Sequence, residues 1–195
     1  AASDVYKRQG VAFDPAGPTF RHEAFEQYKA QREETPEAIR LSVPIIKEII
    51  RAYRIPILEV AGYEADDVIG TLATEAGRQG IITYMMTPDK DYGQLVSDKV
   101  FMYRPKHTGG FEVMGVDEVK AKFDIQSPAQ VIDMLGLMGD SSDNIPGCPG
   151  VGEKTAQKLI AEFGSIENLL EHTDQLKGAL KTKVETNREM ITFSK

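Results

Sequence analysis

The sequence predicts an α/β fold, a mostly parallel sheet with flanking helices, followed by a helical subdomain. Short apolar runs alternate with amphipathic stretches over the first two-thirds of the 195 residues, as expected of strands joined by crossover helices. After Asp117 the chain changes to helical stretches joined by short turns. Acidic residues follow the predicted strands at their carboxyl ends, which is where α/β sheets bind ligands.

In chain order, residues 11–13 read as a first strand that ends at Asp14. Residues 41–53 place Ile45, Ile46, Ile49 and Ile50 at helical spacing. A second strand over 57–60 leads into a helix over about 64–76, with Val68, Ile69 and Leu72 on its inner face. Residues 81–86 form a third strand whose nearly continuous apolar character predicts burial on both faces. Helices are expected over 117–123, 128–138 and 153–163, the last closed by Gly164, and Ser165 caps a short helix over 167–170. This gives a polar leader over 1–9, an α/β metal-binding core over 10–125 and a helical subdomain over 126–195.

Eight carboxylates stand out: Asp14; Glu64, Asp66 and Asp67 in GYEADD; Asp89 and Asp91 in TPDKD; Asp140 and Asp143 in GDSSDN. Any one group could serve as a helix cap or a loop residue. Together they share the carboxyl edge of the predicted sheet and would repel one another unless cations neutralised them, which points to divalent metals. Asp140 and Asp143 follow the end of a predicted helix, where the dipole disfavours anions, so stability alone would not select them there.

Composition narrows the class. The chain is 41% hydrophobic and 27% charged, lacks tryptophan, and has no apolar run near the roughly 18 residues of a membrane span. AASDVYKRQ has no apolar region of the secretory type, so a cytoplasmic location without membrane partners is expected. The single cysteine, Cys148, excludes an internal disulfide and a cysteine-rich zinc site, and reads as a packing residue. His22, His107 and His172 show no ligand spacing and read as surface or packing residues. A net charge of −7 argues against a nucleic-acid partner at first sight. With the eight clustered acids set aside, the remaining acids nearly balance the 23 Lys and Arg, so local basic groups matter more than the total.

Two segments suit phosphate. Gly147, Gly150, Val151 and Gly152 lie in a glycine-rich hairpin before a helix N-terminus, with Lys154 and Lys158 one turn apart on that helix. A plain helix-connecting turn is the alternative. Between Asp14 and Glu64, Phe20, Arg21, Phe25, Tyr28, Lys29 and Arg32 interleave aromatic and cationic side chains. That pattern fits base stacking with phosphate pairing, and equally an amphipathic helix burying Phe20, Phe25 and Tyr28.

The stretches FDPAGPTFRHEAFEQYKAQR, GYEADDVIGTLA, MTPDKDYGQL and LMGDSSDNIPGCPGVGEKTAQKLI, in this order and spacing, resemble the 5′ nuclease family, the flap endonuclease relatives found as a domain of bacterial DNA polymerase I. The resemblance runs from about Gly10 to the end of the chain. It implies a PIN-like nuclease core followed by a helix-hairpin-helix DNA-binding subdomain. The implied activity is structure-selective and Mg²⁺-dependent, cutting 5′ ends and flaps of branched DNA and RNA primer–DNA junctions in replication and repair, alongside a polymerase domain of the same parent chain. By position, Asp14, Glu64 and Asp66 would carry a first ion with Asp67 beside them. Asp89, Asp91 and Asp143 would carry a second, supported by Asp140. Tyr28, Lys29 and Arg32 match the family's helical gateway, where a lysine meets the scissile phosphate and an aromatic ring stacks on the terminal base. Arg21 falls in the same basic segment. The hairpin would grip duplex phosphates and, as in relatives, hold K⁺. All-oxygen ligands suit two Mg²⁺ or Mn²⁺ ions, which can act on both sides of a phosphorus at a separation of about 4 Å.

The family opens with an apolar strand ending in an aspartate, whereas AASDVYKRQ is polar and Asp4 is a poor substitute. The expectation is a truncated copy that exposes an apolar sheet edge, holds the first ion weakly, binds branched DNA and cleaves it poorly, with a C-terminus that stops mid-helix. The competing readings are a non-catalytic branched-DNA-binding fragment, an α/β metallonuclease acting on RNA, and a receiver or calcium-binding domain. The hairpin disfavours the RNA enzyme. The number of acids and the absence of EF-hand spacing disfavour the calcium-binding or receiver reading.

Overall fold

The computed structural model describes residues 8–106 and 108–195. The leader reading of residues 1–7, with Asp4, and the reading of His107 lie outside the described residues. The chain divides into two compact units, Ala1–Leu72 and Ala73–Lys195.

In the first unit β1 (Val11–Ala12) pairs in parallel with β2 (Ile57–Leu58), Val11 opposite Ile57. A parallel pair needs a long crossover. Here it contains α1 (Phe20–Ala24) and α2 (Glu37–Ala52). The isoleucine spacing correctly predicts a helix, and the observed element begins earlier than expected. None of its residues is buried: Ile39, Leu41, Ile45, Ile46 and Ile49 are all exposed. Periodicity identifies an apolar face but says nothing of what covers it. The next helix, α3 (Ala65–Arg78), leaves Val68 and Ile69 half-buried and Leu72 exposed, so its expected inner face is only partly covered.

In the second unit β3 (Thr83–Met86) pairs in parallel with β4 (Val100–Pro105), which pairs antiparallel with β5 (Phe111–Met114). The expected strand and its parallel pairing are present, but not its burial on both faces. In the order β3-β4-β5, β3 is the end strand, and burial alternates from Met85 at 2% exposure to Met86 at 71%. The β4–β5 hairpin adds an antiparallel pair that the sequence reading passed over.

The core of this unit gathers Val100 and Met102 from β4 with residues of the helices that follow. These are α4 (Val116–Phe123), α5 (Val131–Met138), α6 (Glu153–Phe163), α7 (Ile166–Glu171), α8 (Gly178–Thr186) and α9 (Arg188–Ser194). The helix expected over 128–138 divides into a 3-10 turn, Pro128–Gln130, and α5. Buried Asp133 ties α5 to later elements: its Oδ1 accepts the Ile166 N–H at 2.9 Å and the Lys195 ammonium at 2.7 Å. No helix among the described residues is long and apolar enough to cross a membrane.

Candidate functional site

The first unit places its acids around the start of α3. Asp14, just past β1, accepts the Ala65 N–H through Oδ1 at 2.7 Å. Asp67 Oδ2 accepts the Glu64 N–H at 2.9 Å, so the acid-rich start of the helix is partly self-capping. Arg21 clamps Asp67 with two parallel hydrogen bonds of 2.8 Å. That guanidinium holds the Asp67 carboxyl below the usual carboxylate range, against the opposing effect of burial. Glu64 is buried, accepting the Tyr28 hydroxyl at 2.9 Å and the Lys29 ammonium at 2.8 Å. Asp14 and Asp66 are exposed.

The segment bearing Tyr28, Lys29 and Arg32 is a run of turns rather than a continuing helix, because α1 stops at Ala24 and the later amides bond three residues back. Lys29 sits at φ 55°, a left-handed conformation uncommon for a residue with a Cβ. Tyr28 is 5% exposed, so its ring is packed away. The aromatic surface presented here is instead Phe20 against Tyr63, ring centres 5.6 Å apart, with the Arg21 guanidinium 4.5 Å over the Phe20 ring. Tyr63 was missed in the sequence, although it stands inside GYEADD. Arg32 is exposed.

The second unit gathers the other acids. Asp89 ends the connection from β3 and caps the 3-10 turn Lys90–Leu95, its Oδ1 accepting the Asp91 N–H at 3.0 Å. Asp140 and Asp143 lie in the loop after α5. Paired backbone bonds between Asp140 and Ile145 close that loop. Gly139 and Gly147 meet across its base, where a Cβ on Gly147 would come 2.2 Å from the Gly139 nitrogen, so this closure requires glycine. Asp140 Oδ2 accepts the Lys90 ammonium at 2.8 Å. Its Oδ1 takes the Ser142 N–H at 2.8 Å and also the Ser142 hydroxyl. Burial raises the Asp140 carboxyl, but the hydrogen bonds from Lys90 and Ser142 prevail and hold it low.

Asp91 differs. Its Oδ1 is buried with no hydrogen-bond partner. Burial first, and then the charges of Asp89, Asp140 and Asp143, push its carboxyl up to about 6, despite the opposing pull of Lys90. An ionised carboxylate held this way is discharged most directly by a cation. The donors are all oxygen, which fits a hard divalent ion. Among the described residues no three His, Cys, Asp or Glu side chains converge as a group that could hold a metal ion. Several of the carboxylates are instead spread over internal partners: Glu64 on Lys29, Asp67 on Arg21 and Asp140 on Lys90. The residue types fit the metal, and in this structure these three carboxylates are neutralised by side-chain cations. Lys90, quoted within TPDKD but given no role from sequence, is the residue of this cluster that sequence reasoning overlooked.

Further along, Lys154 and Lys158 are exposed on α6, whose N-cap is Gly152. Gly147 and Gly150 have φ of 60° and 77°. Val151 is buried, and its amide bonds the Cys148 carbonyl at 3.0 Å, so it serves the turn itself. Lys183 of α8, unnoticed in the sequence, lies against Gly150: a Cβ there would be 2.6 Å from its Nζ. Cys148 is buried, as expected of a packing residue.

Comparison with known proteins places this arrangement in a class. Residues 2–124 match the 5′-3′ exonuclease N-terminal resolvase-like domain, and residues 126–195 match the 5′-3′ exonuclease C-terminal SAM fold. The chain belongs to the 5′-3′ exonuclease family. Its curated relatives include bacterial DNA polymerases I. That of Bacillus caldotenax is 46% identical over 187 residues, which is 95% of this chain and 21% of the relative. The thermostable enzyme of Thermus thermophilus is 42% identical over 185 residues, 95% of this chain and 22% of the relative. The chain thus spans about a fifth of the length of these relatives. Among solved structures, the zinc-bound T5 5′-exonuclease matches with a TM-score of 0.81 at 23% identity, covering 98% of this chain and 74% of that one. The likeness supports the same fold, a resolvase-like α/β domain with a SAM-like helical one.

Proposed function

We propose that this chain is a structure-selective 5′-3′ exonuclease and flap endonuclease, acting in the cytoplasm within a DNA polymerase I, and that it hydrolyses phosphodiester bonds in branched DNA and at RNA primer–DNA junctions. The observation that carries the reading is the second acid cluster, where Asp91 keeps a buried oxygen unpartnered among like charges. Family membership supports reading that cluster as part of a nuclease site.

Asp14, Glu64 and Asp66, with Asp67 beside them, would hold one ion, and Asp89, Asp91 and Asp143, supported by Asp140, the other. Two Mg²⁺ or Mn²⁺ ions supply an activated water and a counter-charge for the leaving oxygen when bound. Lys29, once released from Glu64, and Arg32 then offset charge on the phosphate. Tyr28 would stack on a terminal base only after its ring, packed away in this structure, turns outward. Arg21 over Phe20 offers a further cationic and aromatic contact. Gly147, Gly150 and Gly152 let the hairpin backbone approach a duplex phosphate, with Val151 shaping the turn, Lys154 and Lys158 adding charge, and K⁺ completing the grip.

Phosphate contacts carry no base information. Three 5′-flap DNAs of one shape and different sequence should therefore be cut at similar rates in Mg²⁺, faster than an unbranched duplex of the same sequence, and more slowly as salt rises. Equal cutting of flap and unbranched duplex, or a rate set by base sequence, contradicts the reading.

A further inference from the structure

Lys90 lies between Asp89 and Asp91 in sequence and reaches across to the loop after α5, where its Nζ meets Asp140 Oδ2 at 2.8 Å. Both oxygens of Asp140 are committed, one to Lys90 and the other to Ser142. An ion approaching Asp140 Oδ2 would therefore meet the Lys90 ammonium already bound there. The Ser142 contacts are neutral and local. The Lys90 contact is a positive charge placed where a divalent ion would act.

We infer that Lys90 is an internal counter-cation that competes with the divalent ion at the second acid cluster and so sets the metal concentration at which that cluster fills. The inference rests on the metal reading above. Lys90 is a positioning residue: it holds Asp140 while the cluster lacks an ion and yields it when one enters. Its side chain remains 43% exposed, so water is at hand to solvate the ammonium on release, and exchange across such a half-exposed pair costs little. Removing this charge leaves more net negative charge facing the ion. Affinity for the metal should then rise, the opposite of what loss of a merely structural residue would do.

The test is Mn²⁺ binding to the DNA-free chain, read from the electron paramagnetic resonance signal of free Mn²⁺. Lys90→Met keeps the aliphatic stem and removes the charge, and should tighten the component of binding that Asp91→Ala abolishes by about three- to tenfold. Lys90→Arg keeps the charge and should stay close to wild type. Unchanged or weaker binding in Lys90→Met overturns the inference about Lys90 and leaves the metal reading intact, as does tightening of equal size in Lys90→Arg. If Asp91→Ala binds Mn²⁺ as wild type does, the metal reading of the cluster fails and the inference falls with it.

Discussion

Asp91→Ala lowers single-turnover cleavage of a 5′-flap DNA by about two to four orders of magnitude, the rate equivalent of several kcal/mol of lost charge stabilisation. The carboxylate is removed from a cluster in which its Oδ1 has no protein partner and its ionisation is opposed by burial and by Asp89, Asp140 and Asp143. A buried, unpartnered carboxylate oxygen among like charges is costly in the metal-free protein, and the proposed function accounts for it by an ion that would bind there. DNA affinity stays within about twofold, the ordinary range for a substitution that removes no contact with DNA. Equilibrium binding by fluorescence anisotropy beside rapid-quench cleavage separates the two quantities. Parallel loss of affinity and rate would instead make Asp91 a structural residue.

Lys29→Ala lowers the cleavage rate by about a hundredfold to a thousandfold, as removal of one preorganised donor to a developing anion does elsewhere. In this structure the ammonium sits 2.8 Å from Glu64 Oε1, and the Tyr28 hydroxyl takes the other oxygen. The same lysine thus neutralises a buried carboxylate in this state, and under the proposed function it would be released toward phosphate when a divalent ion takes over Glu64. The effect should fall on the rate at saturating DNA, with a modest loss of affinity and a shallower salt dependence, since one phosphate contact disappears. A wild-type rate in Lys29→Ala at saturating DNA would remove this residue from the chemistry.

The acid clusters were legible because their positions are local. TPDKD follows a strand, and its first aspartate caps the turn through a bond to a residue two positions on, a pattern that short-range chemistry dictates. The helix over Glu153–Phe163 was legible for the same reason: three glycines precede it and Gly164 closes it. Long-range pairing was not legible. Nothing near Glu64 in sequence announces that Lys29, 35 residues earlier, holds it, or that Lys90 reaches 50 residues ahead to Asp140. The expected double burial of β3 failed because a continuous apolar run does not reveal whether both faces of the sheet are covered. The β4–β5 hairpin had a signal in Gly109-Gly110 standing between two short apolar stretches, the pattern of two short strands around a glycine turn. The isoleucine face of α2 shows the complementary gap: spacing makes a helix amphipathic, and tertiary structure alone says whether that face is covered.

The most direct measurement is cleavage of a 5′-labelled flap DNA by the wild-type chain in Mg²⁺, with and without excess EDTA. The account predicts release of the 5′ flap in Mg²⁺, complete suppression by EDTA, and recovery when Mg²⁺ or Mn²⁺ is restored. Cleavage that survives EDTA, or no cleavage in Mg²⁺ where anisotropy shows the flap DNA fully bound, would contradict it.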